Sequence, residues 1–125
     1  MTEPPRRVQL SRRKGWRMPP NTVKVDRSTI FGNPFAVSKG TMSGGAERWV
    51  NMPRYFIGDS GEHFPTKPEA MAASVNRFRA WINHPANRRL RETCIVGLRG
   101  KNLGCWCPLD KPCHADVLLE LANGE

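Results

Sequence analysis

The chain has 125 residues, 20 of them Lys or Arg and 11 Asp or Glu, for a formal net charge of +9. That length admits one compact domain and excludes two of ordinary size. No apolar run approaches the roughly 20 residues of a membrane helix, and the opening MTEPPRRVQLSRRKG lacks the apolar stretch of a secretory signal, which points to the cytoplasm.

A basic balance of this size favours anionic partners: nucleic acid, nucleotides or another phosphate-bearing ligand. The excess is not one tail. Residues 1–30 carry Arg6, Arg7, Arg12, Arg13, Lys14, Arg17, Lys24 and Arg27, and Arg77, Arg79, Arg88, Arg89, Arg91, Arg99 and Lys101 form a second group.

In chain order, residues 1–7 are expected to be a mobile basic arm ahead of a single domain over 8–125. Val8 to Ser11 can start a short strand. Arg12 to Pro20 reads as loop, with Arg12, Arg13, Lys14 and Arg17 around Trp16 as a strip able to hold phosphate. Thr22 to Asp26 alternates apolar and polar, the mark of a strand. Gly32-Asn33-Pro34-Phe35 then predicts an ordered loop pinned by Phe31 and Phe35, since Pro34 disfavours helix at Asn33.

Residues 38–46 have a flexible composition, and 47–56 predict a short helix or an irregular segment. Thr66 and Glu69 fit a capping box. Met71, Val75, Phe78 and Ile82 follow on one helical face that ends before Pro85. Residues 86–99 predict a second helix with Leu90, Cys94 and Leu98 inward. Lys101 to Cys107 predicts a strand stopped by Pro108, with Trp106 in the core. Cys113 to Asn123 predicts a last helix, with Asp110 as its cap and Asn123-Gly124 as its stop. Strands and helices interleave, so the fold class is α/β or α+β, a short sheet flanked by helices.

Chemistry concentrates in GCWCPLDKPCHAD, residues 104–116, which holds three of the four cysteines. Cys105 and Cys107, two apart on a strand, share a face. With Cys113 and His114 they supply four ligands of the types zinc takes, although the spacing is unusual and adjacent Cys113 and His114 are expected to point apart. The other arrangement is a ligand or active site. Cys113 and His114 then sit at a helix N-terminus, which favours a thiolate or a phosphate. His114 is a proton donor or acceptor near neutral pH, and Asp116 shares a helical face with Cys113. A third possibility is packing alone, which suffices for Cys94. The amide of Asn33, beside Gly32, suits a nucleobase edge or a ribose if it is not simply holding a turn. No glycine-rich dinucleotide loop, P-loop or HExxH motif is present.

GNPF and GKNLGCWCPLDKPCHADVLLELAN, with the opening VQLSRRKGWRMPPNTVKVDRSTI, make the chain resemble the family called domain of unknown function 4326, small proteins of bacteria and phages. The likeness runs from Val8 to Asn123 and brings no activity with it. It marks Gly32, Asn33, Pro34, Lys101, Cys105, Trp106, Cys107, Cys113, His114 and Asp116. The expectation is a pocket between the GNPF loop and the CWC–CHAD turn, with Gly32, Asn33, Arg13 and Lys101 binding a nucleotide or nucleic-acid component. Cys113, His114 and Asp116 are the groups able to act on it. The alternative is a non-enzymatic module that binds nucleic acid and is stabilised by zinc on Cys105, Cys107, Cys113 and His114.

Overall fold

The computed structural model describes residues 4–41, 53–58 and 62–124. Leu103 and Val23 lie side by side in a parallel sheet of three strands: β1 (Arg7–Gln9), β2 (Thr22–Lys24) and, between them, β6 (Asn102–Cys105). The pairing extends past both outer strands. The Leu10 amide donates to the Cys105 carbonyl at 2.9 Å, and the Val25 amide to the Gly104 carbonyl at 2.8 Å. All three strands therefore end at one edge, where Leu10, Val25 and Cys105 are buried.

A second, antiparallel sheet joins β3 (Val37–Thr41), β4 (Pro53–Ile57) and β5 (His63–Phe64). It corrects two expectations. Residues 37–41 are a strand despite the flexible composition of 38–46, and residues 53–57 are a strand where a short helix or an irregular segment was expected over 47–56. The ladder supplies what propensity lacks: Val37 pairs with Ile57 and Lys39 with Tyr55. Residues 42–52 and 59–61 lie outside the described residues, and with them parts of the segments expected over 38–46 and 47–56.

Three helices cover the sheets. In α1 (Lys67–Ile82) the Thr66 hydroxyl accepts from the Glu69 amide at 3.4 Å, one half of the expected capping box. Its buried face is Ala70, Ser74, Phe78 and Ile82, so Met71 and Val75 flank the core. A single 3-10 turn over Pro85–Asn87 leads into α2 (Arg88–Leu98), which buries Cys94 and Leu98 as its spacing predicts. The last helix, α3 (His114–Asn123), packs on α1, α2 and the parallel sheet through Ala115, Val117, Leu118 and Ala122. Its cap is Cys113, with extended backbone at φ −149° and ψ 148°. Asp110, the expected cap, is exposed in the turn before it. Burial of side chains such as Phe78 and Leu118 stabilises the domain by about 1.5–3 kcal/mol each. The result is a small α/β domain. Among the described residues no helix is long and apolar enough to cross a membrane.

Residues 6 and 7 belong to the folded domain and not to the arm expected over 1–7. Arg7 belongs to β1, and the Arg6 amide donates to Asn102 Oδ1 at 3.0 Å. Residues 1–3 lie outside the described residues.

Gly32 is required by close approach. A Cβ there would lie 2.7 Å from Arg27 Cα and 2.8 Å from the Asp26 carbonyl oxygen, both backbone atoms that cannot swing away. Gly32→Ala is expected to cost about 1–3 kcal/mol of overpacking. Urea unfolding checks this, and an unchanged midpoint would contradict it.

Candidate functional site

The C-terminal edge of the parallel sheet carries the chemistry. β6 delivers Cys105 to that edge, and the chain turns through Trp106 to Pro112 before Cys113 opens α3. Cys105, Cys113 and His114 are 6%, 1% and 5% exposed, while Cys107 is half-buried. The ligand atoms of Cys105, Cys113 and His114 all lie within 4.8 Å of one another, close enough to hold one metal ion. The Sγ atoms of Cys105 and Cys107 are 3.7 Å apart.

Cys113 and His114 converge, contrary to the expectation for adjacent residues. Cys113 is not helical, so its side chain leaves the backbone in a direction that helical spacing does not give. Its Sγ lies 3.6 Å from His114 Nδ1. The other ring nitrogen, Nε2, is 2.7 Å from the Val25 carbonyl oxygen. A carbonyl only accepts, so Nε2 carries a proton, and in the neutral ring Nδ1 then presents its lone pair towards the sulfurs. The edge of Phe78, at 5.2 Å between ring centroids and 78° between planes, packs the imidazole in place.

Three adjacent thiols do not titrate independently. Hydrogen bonding with Cys107, and then with Cys113, pulls the Cys105 thiol well below its ordinary range. The bond to Cys105 pushes Cys107 and Cys113 up. Cys94 stands apart on α2, and burial alone pushes its thiol up to about 11.

The thiol cluster forms one wall of a cleft of about 440 Å³, which Asp26, Arg27, Ser28, Asn33, Phe35 and Lys67 also line. The GNPF loop and the CWC–CHAD turn thus meet, although about 70 residues of sequence separate them. Asn33 helps build this wall. Its Oδ1 accepts from the Phe35 amide at 2.8 Å, and its Nδ2 donates to Ser74 Oγ at 3.0 Å. Ser74 in turn donates to the Phe35 carbonyl at 2.5 Å, which ties the loop to α1. The Asn33 amide thereby holds a turn.

Trp106 is 39% exposed rather than in the core. Its Nε1 donates to Asp26 Oδ2 at 2.9 Å, and the Arg12 guanidinium lies 4.8 Å from its ring centroid. Bonding from Ser28 first, and from Trp106, keeps the Asp26 carboxyl below its usual range. Asp116 does not line the cleft. Its carboxylate accepts from Arg7 Nη1 at 2.8 Å, and Arg7 Nη2 donates to the Pro108 carbonyl, also at 2.8 Å. Gly32 packs on the Asp26–Arg27 backbone and is outside the cleft lining. Arg13 is exposed, and Lys101 precedes β6, at the far end of that strand from the cysteines. The cleft's cations are instead Arg27 and Lys67, which no motif singled out.

Fold and site together define a small α/β domain with a Cys/His cluster at the C-terminal edge of its parallel sheet. The family model described as "Domain of unknown function (DUF4326)" matches residues 8–124, and the chain belongs to that family. No curated protein and no solved structure matches it.

Cys94 is 1% exposed, and its raised pKa keeps it a neutral thiol at pH 8. Iodoacetamide at that pH is therefore expected to leave Cys94 unlabelled in the folded protein and to label it in denaturant. Peptide mass mapping reads the difference, and labelling of Cys94 without denaturant would contradict the packing described.

Proposed function

We propose that the protein binds a nucleotide, or a related phosphate-bearing component of nucleic acid, in the cleft between the GNPF loop and the CWC–CHAD turn. The observation that carries this is the convergence of residues 26–35 and 105–114 on one cavity of about 440 Å³. Pockets for small organic ligands run from about 300 to 1,000 Å³. Phe35, Val37, Met71 and Val75 offer apolar surface for a flat ring. Arg27 and Lys67 stand at the rim and take part in no ion pair among the described residues, so both are available to a phosphate.

The thiol cluster favours a second function, a zinc-stabilised module that binds nucleic acid along the exposed strip of Arg12, Arg13, Lys14 and Arg17. Binding there would rest on phosphate contacts and weaken steeply as salt rises.

One NMR titration separates the two. Nucleoside monophosphates and a short single-stranded DNA are added in turn, at low and moderate salt. The cleft proposal expects nucleotide-induced shifts at Asn33, Phe35 and Lys67. The double change Arg27→Ala and Lys67→Ala should weaken binding by about tenfold, a loss of about 1.4 kcal/mol. Shifts confined to residues 12–17, produced by DNA alone and erased by salt, would favour the second function. Silence towards both probes would reject both.

A further inference from the structure

We infer that Cys105, Cys107, Cys113 and Nδ1 of His114 bind a single zinc ion in tetrahedral geometry. This does not rest on the cleft's having a nucleotide ligand. It rests on how Cys105, Cys113 and His114 are already aimed at one another, with the Cys107 sulfur beside that of Cys105.

Zinc takes thiolate sulfur at about 2.3 Å and imidazole nitrogen at about 2.0–2.1 Å, so a tetrahedral site needs sulfurs about 3.8 Å apart and a sulfur–nitrogen separation of about 3.6 Å. The Sγ atoms of Cys105 and Cys107 are 3.7 Å apart, and Cys113 Sγ is 3.6 Å from His114 Nδ1. Cys105, Cys113 and His114 are mutually within 4.8 Å. The two measured separations match those across a shared ion, and the cluster needs to tighten only slightly for the rest to do so. A disulfide would need about 2.05 Å, and all four cysteines are free.

The histidine carries the mark of a ligand. Metal-bound imidazoles usually give their second ring N–H to a carbonyl or carboxylate, which fixes the tautomer and aims the free lone pair. The Val25 carbonyl does this to His114 at 2.7 Å. Packing of small apolar residues does not explain that arrangement. Cys94 shows what packing alone looks like: a single buried thiol in the apolar core, with no hydrogen-bond partner among the described residues.

The surroundings suit the charge. Three thiolates and zinc sum to one negative charge. The Arg7 side chain, 8% exposed, donates to the carbonyl of Pro108, the residue after Cys107, and to Asp116 in the first turn of α3. It thereby holds both ends of the ligand loop and brings a positive charge beside the centre. Soft thiolates with one imidazole select zinc over magnesium or calcium, which take oxygen ligands. Four protein ligands fill the coordination sphere, as in structural zinc sites. The ion's role is to close the strand-to-helix turn from 105 to 114.

Native mass spectrometry of the full chain, supplied with zinc and desalted, tests this. The expected mass exceeds the denatured mass by one zinc ion. Cys94→Ser keeps the ion, whereas Cys105→Ser, Cys113→Ser and His114→Ala each lose it. Should those variants fail to fold, Cys94→Ser answers alone: a mercurial that consumes its three remaining thiols must release one zinc per chain. A bare-chain mass in the presence of zinc would overturn the inference. Retention of the ion by the double variant Cys105→Ser, Cys113→Ser would overturn it equally.

Discussion

The hydrogen bond from His114 Nε2 to the Val25 carbonyl is the constraint on which the functional end of the molecule depends. It is buried and 2.7 Å long, and it joins the first residue of α3 to the edge of the parallel sheet, just beyond β2. Without its partner the carbonyl would be left unsatisfied in the interior, at a cost of about 1–3 kcal/mol. With it, α3 starts directly over the end of β6, so Cys113 faces Cys105. Ala115, Val117 and Leu118 then continue into the core. Arg7 reinforces the same junction from β1 through Pro108 and Asp116.

The cleft and the cysteine cluster are two faces of one construction. The cluster forms part of the cleft wall, and the Asn33–Ser74–Phe35 bonds hold the facing loop against α1. The packing of α1 on α3 sets the distance between these walls. Most of the polar groups near the cleft are already committed to the fold: Asn33 to its turn, Asp26 to Ser28 and Trp106, and His114 to Val25. Arg27 and Lys67 are the exceptions, and the proposed function assigns them to the phosphate.

Much of this was legible in the sequence, and the failures have physical causes. The alternation of Thr22 to Asp26 and the spacing of Phe78, Ile82, Cys94 and Leu98 located β2, α1 and α2, because each element has one face in the core. The second sheet was hidden. Ser38, Lys39 and Gly40 show no apolar face, and β4 begins with a proline, so pairing between strands decides what local composition does not. The four residues of the cluster could be read directly, but their convergence could not. It depends on the extended backbone of Cys113 and on the carbonyl of Val25, which has no side-chain signature. The misplacement of Asp116 has the same origin: its partner Arg7 lies 109 residues away. Trp106 read as core because it is aromatic, yet the bond to Asp26 and the stacked Arg12 hold it at the surface.

The most direct test of the central claim is a long-range proton–nitrogen NMR spectrum of the His114 ring at neutral pH. The structure predicts a proton on Nε2 and none on Nδ1, with the Nε2 proton protected from exchange by the Val25 carbonyl. A proton on Nδ1, alone or together with one on Nε2, would mean that His114 does not turn a lone pair to the thiols, and would contradict the account.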